Sequence, residues 1–219
     1  MNKLKSITNE ISKVVIGKED VIKLLIVSIT AGGHILLEDI PGVGKTTLAL
    51  ALSKTLGLKY NRVQFTPDVM PADIIGFNMY NQKSQTFEYV KGAAVCNLFL
   101  ADEINRTSSK TQSALLELME EGKYTVEGVT RELPKPFVTI ATQNPFGSAG
   151  TQRLPQSQIE RFIVRMSMGY PSPEAEIEIL KGAKSNKLDI LNNIMTSDEL
   201  LEYQQKAEDC FVKDNIYKY

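Results

Sequence analysis

Residues 38–47 read EDIPGVGKTT; they follow the apolar run HILL at residues 34–37 and precede leucines at helical spacing. Gly42 and Gly44 have no Cβ atom, so the backbone N–H groups around them can approach an anion closely. The helix that follows begins with unpaired N–H groups and with the positive end of its dipole facing the same point. The stretch therefore predicts a strand, a phosphate-binding loop and a helix in direct succession.

Two side chains of this loop have the chemistry that a nucleotide requires. Lys45 would place a positive charge on the outer phosphates, and Thr46 would offer a hydroxyl to Mg²⁺. The general pattern, GxxxxGK(S/T), would place its first glycine at position 39, where this sequence has Asp39. The alternative interpretation is a glycine-rich turn with Lys45 in solvent. The predicted nucleotide-binding residues of the loop are Pro41, Gly42, Val43, Gly44, Lys45, Thr46 and Thr47.

A pair of carboxylates follows a second apolar run. Residues 97–101, NLFLA, are typical of a buried strand and lead directly into Asp102 and Glu103. In an open parallel sheet, ligands bind beyond the carboxyl ends of the strands, so this pair would face the phosphate loop. We expect Asp102 to hold the hydration shell of Mg²⁺, and Glu103 to orient and deprotonate an attacking water. The alternative is an ordinary acidic turn after a strand.

A third apolar run, residues 137–142, leads to Asn144 at the same predicted edge. The side-chain amide there can hydrogen-bond a γ-phosphate or the attacking water, although a simple turn before Pro145 would explain the same residues. The remaining pattern predicts helices at 2–13, 19–30, 107–121, 154–162, 174–181 and 198–212, strands at 60–65 and 163–168, and hairpins within 69–92 and 124–133. The chain therefore belongs to the α/β class, with a central parallel sheet flanked by helices and with inserted β-hairpins.

Composition narrows the function classes. The 219 residues include 25 Lys plus Arg and 26 Asp plus Glu, for a formal net charge of −1, so the overall charge does not favour nucleic-acid binding. Cys96 and Cys210 are far apart and near no other metal-type ligand, which indicates neither a disulfide framework nor a zinc site. The polar residues 1–10 lack the apolar region of a signal peptide, and no apolar run has membrane-spanning length. We therefore expect a cytoplasmic location and no membrane partner.

These motifs together resemble the MoxR family of AAA+ ATPases. The resemblance is carried by residues 33–46, 101–106, 141–145, 150–158 and 161–162, so it spans most of residues 15–172. It implies a P-loop AAA+ core at residues 1–170 and the start of a C-terminal helical lid at 171–219. It also implies that Val15, Ile16 and Gly17 line the adenine pocket; without the resemblance they read as a turn between helices.

The resemblance further implies Mg²⁺-dependent ATP hydrolysis in a ring, usually a hexamer, in which Arg161 acts as an arginine finger on the nucleotide of a neighbouring subunit. A chaperone-like role follows: remodelling of a protein client or assistance of metal or cofactor insertion, often with a von Willebrand A domain partner. The family's lid carries a second sensor arginine, whereas this sequence has no Arg after Arg165. We therefore expect weak hydrolysis from this chain as it stands.

Two other functions stay open. One is a nucleic-acid motor or loader on the same core, although the hairpin near residue 128 offers two acidic residues, Glu127 and Glu132, as well as the basic residues Lys123, Arg131 and Lys135. The other is a switch that binds ATP to set its assembly state without hydrolysing it.

Overall fold

The computed structural model describes residues 3–40, 42–144, 154–181 and 187–217. The helices are α1 (Lys3–Ser12), α2 (Glu19–Thr30), α3 (Lys45–Thr55), α4 (Pro71–Ile75), α5 (Ser109–Glu121), α6 (Gln156–Ile159), α7 (Pro173–Lys181), α8 (Ser197–Glu208) and α9 (Asp214–Tyr217). The strands are β1 (Ile35–Glu38), β2 (Tyr60–Gln64), β3 (Gly76–Asn81), β4 (Thr86–Lys91), β5 (Leu98–Asp102), β6 (Lys123–Val126), β7 (Val129–Glu132), β8 (Val138–Gln143) and β9 (Val164–Met166). Short 3₁₀ turns lie at Ile104–Arg106 and Lys187–Ile190.

A five-stranded sheet in the order β2-β5-β8-β1-β9 forms the centre of the molecule. Every pairing in it is parallel. Ala141 of β8 lies between Leu36 of β1 and Ala101 of β5. The carboxyl ends of all these strands therefore lie at one edge of the sheet. The predicted α/β fold with a central parallel sheet is confirmed, and this edge is where the site is built.

Side chains of the central strands point alternately to the two faces of the sheet, which divides the core into two apolar layers. In β5, Leu98 and Leu100 belong to one layer, whereas Phe99 and Ala101 belong to the other. Successive side chains of a strand point to opposite faces, and both faces are buried here, which explains the continuous apolar runs. Helices α1, α2 and α3 cover the first layer, while α4, α5 and the hairpins cover the second.

The inserted hairpins lie outside the central sheet, as predicted. Strands β3 and β4 pair only with each other, and so do β6 and β7. The second hairpin turns at Glu127 and Gly128, whose φ angles are 48° and 79°. Positive φ at both positions is the geometry of a tight hairpin turn. A hydrogen bond from Asn78 to Glu127, 2.8 Å long, joins the two hairpins.

The predicted buried face of α2 was partly wrong. The helical spacing of Val21, Leu24, Leu25 and Ile29 predicts that these four residues form its apolar face, but the Leu24 side chain is 41% exposed. The sequence of this helix, EDVIKLLIVSIT, is apolar on most of its circumference, so its own pattern does not select one face. Packing against α1 and α8 selects it instead. The buried residues of the helix are Ile22, Leu25, Ile26, Ser28 and Ile29.

Three C-terminal elements are shorter than predicted, whereas α7 at Pro173–Lys181 matches the helix predicted at 174–181. The helix expected at 154–162 covers only Gln156–Ile159, and the strand after it covers Val164–Met166. The helix expected at 198–212 is α8, which ends at Glu208; it begins with a capping box between Thr196 and Glu199. Leu200 is its one buried residue, and Phe211 is 83% exposed. A helix gains most of its stability from packing, so the pattern alone overestimated its length.

A buried histidine connects the sheet to α5. Nε2 of His34 donates to the carbonyl oxygen of Met119 at 2.9 Å, and Nδ1 accepts the N–H of Thr139 at 3.0 Å. Since a carbonyl can only accept and an amide N–H only donate, the ring is neutral with its proton on Nε2. Burial lowers the pKa of His34 below its ordinary value.

Two further properties bear on the class of protein. Cys96 and Cys210 are free thiols, the first buried and the second exposed, and burial raises the pKa of Cys96 to about 12. Among the described residues, no helix combines the length and the apolar character needed to cross a membrane.

Candidate active site

The loop between β1 and α3 has the backbone geometry of an anion cradle. Gly42 has φ 89° and Gly44 has φ 93°, and Gly44 is the residue from which α3 begins. An added Cβ would meet no atom within 4 Å at either position, so it is the left-handed backbone that requires glycine. The first turn of α3, starting at Lys45, therefore points its unpaired N–H groups toward the loop. Pro41, also predicted here, lies outside the described residues.

Asp39, which stands where the general pattern has glycine, connects the loop to the end of β9. Its carboxylate accepts the Ser167 hydroxyl at 2.6 Å and the N–H groups of Met168 and Gly169 at 2.7 and 3.0 Å. The residue is only 5% exposed. The departure from the general pattern thus has a structural role, because it fixes the loop against the last strand of the sheet.

Lys45 is held close to the same loop. Its ammonium group donates to the carbonyl oxygens of Asp39 and Ile40 at 3.1 and 3.2 Å. The side chain is half-buried, so its charge is fixed beside the cradle rather than free in solvent.

A cavity of about 520 Å³ opens beside the loop, which is within the range of about 300–1,000 Å³ found for small-molecule sites. Val15 and Ile16 line it, whereas Gly17 lies next to Ala175, whose Cβ would be 3.0 Å from a Cβ at position 17. Lys18 closes one side by donating to the carbonyl oxygens of Met168 and Tyr170. The other lining residues include Ile40, Gly42, Val43, Gly44, Thr47, Pro171, Glu176, Ile179 and Leu180.

The carboxylate of Asp102 lies at the end of β5 with a partner on each oxygen. Thr142 donates its hydroxyl to Oδ1 at 2.6 Å, and Arg62 donates to Oδ2 at 2.6 Å. Asp102 is buried, while the Arg62 side chain is 39% exposed. A buried carboxylate needs such donors, and they fix its orientation at the sheet edge.

Glu103 has a backbone conformation that is rare for a residue with a side chain. Its φ is 58° and its ψ is 48°, and its N–H donates to the Thr142 hydroxyl at 2.9 Å. Its carboxylate accepts from Arg106 at 2.7 Å. A left-handed non-glycine residue persists only where neighbouring contacts hold it, and such residues cluster at functional sites.

Strand order brings the predicted residues to one edge. The phosphate loop follows β1, and Asp102 ends β5; β8 lies between these strands and is followed by Asn144. At a spacing of about 4.8 Å between strands, the loop and Asp102 are separated by roughly 10 Å. Glu38, at the end of β1, accepts from Gln143 of β8 and from Arg165 of β9, which ties the three strand ends together.

Arg161 lies apart from this group. Its guanidinium donates to the Glu120 carboxylate at 3.0 Å and to the carbonyl of Ser157 at 2.9 Å, in a small exposed pocket beside α5. It does not line the cavity beside the phosphate loop. Arg161 thus pairs with a residue at the end of α5, and this chain does not bring it to the strand ends that carry Asp102 and Glu103.

Several contacts of the site were not predicted from the sequence. Thr142 and Arg62, which hold Asp102, were not selected, and neither was Lys18 at the cavity wall. Thr142 carries a usable signal, because it is a hydroxyl in an otherwise apolar strand that runs to the site. Arg62 and Lys18 carry none, since charged residues in an edge strand and after a helix are common on protein surfaces.

Comparison with known proteins agrees with this geometry. Residues 34–164 match the family described as "ATPase family associated with various cellular activities (AAA)". Chaperone MoxR1 of Mycobacterium tuberculosis is 38% identical over 212 residues, and protein MoxR of Methylorubrum extorquens is 34% identical over 167. The chain belongs to the MoxR family of AAA+ ATPases. The family predicted from the motifs is thereby confirmed.

The matches to these relatives cover only part of each relative's length. YeaC of Bacillus subtilis, a protein of uncharacterised function, is 45% identical over 95% of this chain, but the match covers 66% of that protein. The match to MoxR1 covers 96% of this chain and 55% of the relative, and that to M. extorquens MoxR covers 74% and 48%. The chain thus spans less than two thirds of these relatives.

A solved structure shows the same fold. The crystal structure of a protein from Cytophaga hutchinsonii, assigned as an ATPase, superposes with a TM-score of 0.90 at 39% identity. It covers all of this MoxR-family chain, which in turn covers 66% of that structure.

Proposed function

We propose that this chain binds ATP in the cavity beside residues 42–47 and hydrolyses it with Mg²⁺. One observation carries the proposal: a glycine cradle at a helix start and two carboxylates, Asp102 and Glu103, share one edge of a parallel sheet. The cradle would bind the phosphates through the N–H groups of residues 42–46 and through Lys45. Val15 and Ile16 would contact the base from the cavity wall.

The donor atoms at this edge fit Mg²⁺. The Asp102 carboxylate and the Thr46 hydroxyl are hard oxygen donors, and Mg²⁺ typically takes one or two carboxylates and completes its shell with phosphates and water. In the part of the chain that the structure describes, no three or more His, Cys, Asp or Glu residues cluster to form a metal cage. The metal would therefore enter with the nucleotide; bound there, it would neutralise phosphate charge.

Glu103 would accept the proton of the attacking water, and Asn144 would hydrogen-bond the γ-phosphate. Arg161 would stabilise transition-state charge on a neighbouring subunit, which agrees with its position outside this chain's own cavity. An arginine supplied in trans contributes about 10³–10⁵ in rate in related reactions. Hydrolysis would then require several subunits to assemble. We propose that they form a hexameric ring.

Nucleotide binding can be tested at Lys45. Lys45→Ala should weaken ATP binding about 10- to 150-fold, which corresponds to about 1.5–3 kcal/mol for a charge-assisted contact. Lys23→Ala, whose side chain is 62% exposed on α2, is the matched control and should bind normally. Equal ATP affinity in the two variants would remove Lys45 from the site.

Hydrolysis can be tested at Glu103 and Arg161. Glu103→Gln should bind ATP normally and turn it over at least 100-fold more slowly. In the parent chain, phosphate release should rise with more than the first power of protein concentration, and Arg161→Ala should abolish that rise. Glu120→Ala breaks the same ion pair but keeps the arginine, so it should hydrolyse as the parent does. A rate strictly proportional to concentration would contradict an active site shared between subunits.

We also propose a role in remodelling a protein client. The support is the relative named as a chaperone, MoxR1, together with the exposed hairpins on one face of the core. Residues 1–170 would act as the nucleotide-binding core and residues 171–219 as the start of a lid over the cavity. A von Willebrand A domain protein is the partner to test first, by co-purification with this chain in the presence and in the absence of ATP; ATP-independent recovery would count against it.

Nucleic-acid threading has less support. Arg131, one of the basic residues of the second hairpin, lies 4.1 Å over the ring of Tyr89 and donates to the carbonyl of Val129. Its charge is thus used within the protein. Salt-dependent DNA binding would nevertheless revive this function.

A further inference from the structure

Strand β8 carries two fully buried threonines whose hydroxyls have different surroundings. Both Thr139 and Thr142 are 0% exposed. Thr142 donates to Asp102 Oδ1 at 2.6 Å and accepts the N–H of Glu103 at 2.9 Å. Within residues 3–40, 42–144, 154–181 and 187–217, the hydroxyl of Thr139 has no hydrogen-bond partner. One strand thus supplies both a bonded hydroxyl and its unbonded counterpart.

The direction of both Thr142 hydrogen bonds is determined by chemistry. An ionised carboxylate can only accept, so the hydroxyl proton points to Asp102; a backbone N–H can only donate, so a hydroxyl lone pair faces Glu103. A single side chain therefore holds the proposed metal-binding carboxylate and the backbone of the proposed base. No other hydroxyl in the described part of the site makes both contacts.

The contact to Glu103 supports a strained turn. A glutamate at φ 58° is costly and needs neighbours that hold it, and the bond to Thr142 is the contact that anchors its N–H. The strain directs the chain away from β5 immediately after Asp102. The position of the Glu103 carboxylate consequently depends on a residue 39 positions further along the chain.

We propose that Thr142 is a positioning residue for hydrolysis. It holds Asp102 and Glu103 in a fixed arrangement relative to Asn144, which lies two residues later, just past the end of β8. The inference rests on the proposed function of the site, and it adds a residue that does not line the nucleotide cavity. Thr142 therefore affects the rate of the chemical step and the metal-dependent part of binding, but not the grip on the base and sugar.

The test compares the same substitution at both threonines. Thr142→Val should lower kcat about 10- to 100-fold while its affinity for ATP in EDTA changes less than threefold, because small misplacements of catalytic groups cost that much. Thr139→Val, equally buried and on the same strand, should leave kcat unchanged. Thr142→Ser keeps the hydroxyl and should restore at least half of the parent rate. Circular dichroism of each variant shows that it is folded.

A binding measurement separates this inference from the proposed function. The affinity for a fluorescent ATP analogue is measured with Mg²⁺ and with EDTA. The increase in affinity on adding Mg²⁺ should be at least fivefold smaller in Thr142→Val than in Thr139→Val, whether or not the parent hydrolyses ATP. A parent that shows this gain but no turnover would refute hydrolysis and leave in place only the part of the inference in which Thr142 positions Asp102 for Mg²⁺.

Three results would overturn the inference. Equal kcat and equal Mg²⁺ gain in the two valine variants would show that the hydroxyl has no positioning role. Failure of Thr142→Ser to recover when Thr142→Val is impaired would assign the effect to packing. A parent that binds no nucleotide would refute the proposed function, and the role of Thr142 with it.

Discussion

Replacement of Asp39 by alanine should lower the free energy of unfolding by about 3 kcal/mol. The carboxylate accepts three hydrogen bonds, and a bond to a charged group contributes about 1.5–3 kcal/mol. Ser167 is exposed and Gly169 half-buried, so water can replace the bonds that they lose. The N–H of Met168 is buried and would be left without an acceptor. The expected cost therefore includes the full energy of the hydrogen bond from Met168 and part of the energy of the other two hydrogen bonds.

The general loop pattern leads to a different expectation for glycine at this position. Since GxxxxGK(S/T) has its first glycine here, the pattern predicts that Asp39→Gly is harmless. The structure predicts a loss larger than that of Asp39→Ala by about 0.5–1 kcal/mol, because glycine also increases the entropy of the unfolded chain. Comparing Asp39→Gly with Asp39→Ala therefore tests whether the general loop pattern or the observed hydrogen bonds determine stability at this position.

Urea denaturation followed by circular dichroism measures these losses, provided that the slope with urea stays constant. Ser167→Ala removes only one of the three donors and should cost about 1 kcal/mol. Asp68→Ala, at an exposed aspartate, is the control and should stay within about 0.5 kcal/mol of the parent. If Asp39→Ala unfolds like Asp68→Ala, the carboxylate does not hold the loop to β9 and the reasoning is wrong.

Three further predictions concern His34, the two cysteines and Gly92. Burial lowers the pKa of His34, so the folded chain resists protonation of this side chain. The contribution of His34 to the free energy of unfolding should be complete above its unfolded-state pKa of about 6.5 and should fall by at most about 1.4 kcal/mol for each pH unit below it. Urea titrations between pH 7.5 and 5.5 measure this fall, which His34→Gln should lose. A thiol reagent should modify Cys210 but not Cys96, whose pKa is raised to about 12, until urea is added; rapid modification of both in native buffer would contradict the burial. Gly92→Ala should destabilise by about 2 kcal/mol or more in thermal melts, since its Cβ would lie 2.3 Å from the carbonyl oxygen of Ile74; an unchanged melting temperature would refute the clash.

Local pattern was sufficient for most of the fold. Continuous apolar runs predicted β1, β5 and β8, because strands buried on both faces need apolar residues at every position. The glycines at 42 and 44 predicted the cradle, since few other residues adopt its backbone. Pattern failed where a segment has more than one way to be buried, as in α2, where Leu24 is exposed because packing selected another face.

Local pattern was not sufficient for the polar contacts that fix the site. The partners of Asp39 lie 128 to 130 residues away in the sequence, and Thr142 lies 40 residues from Asp102. Nothing within a window of a helix or a strand relates such positions. Asp39 and Thr142 also have ordinary local explanations: Asp39 reads as a polar turn residue, and Thr142 reads as a β-branched strand residue.

Strand order is the missing information, and with it both contacts follow from register. Since Leu37 is beside Met166, continuing the pairing of β1 and β9 by two residues places Asp39 beside Met168, the N–H that it binds. Since Ala101 is beside Ala141, continuing the pairing of β5 and β8 by one places Asp102 beside Thr142. In each case a buried carboxylate just beyond a strand pairing binds a donor of the neighbouring strand, because a buried charge at that point requires one. A parallel sheet of known order therefore predicts which polar residues near its strand ends are partners, and the chemistry of the site follows from the fold through those pairs.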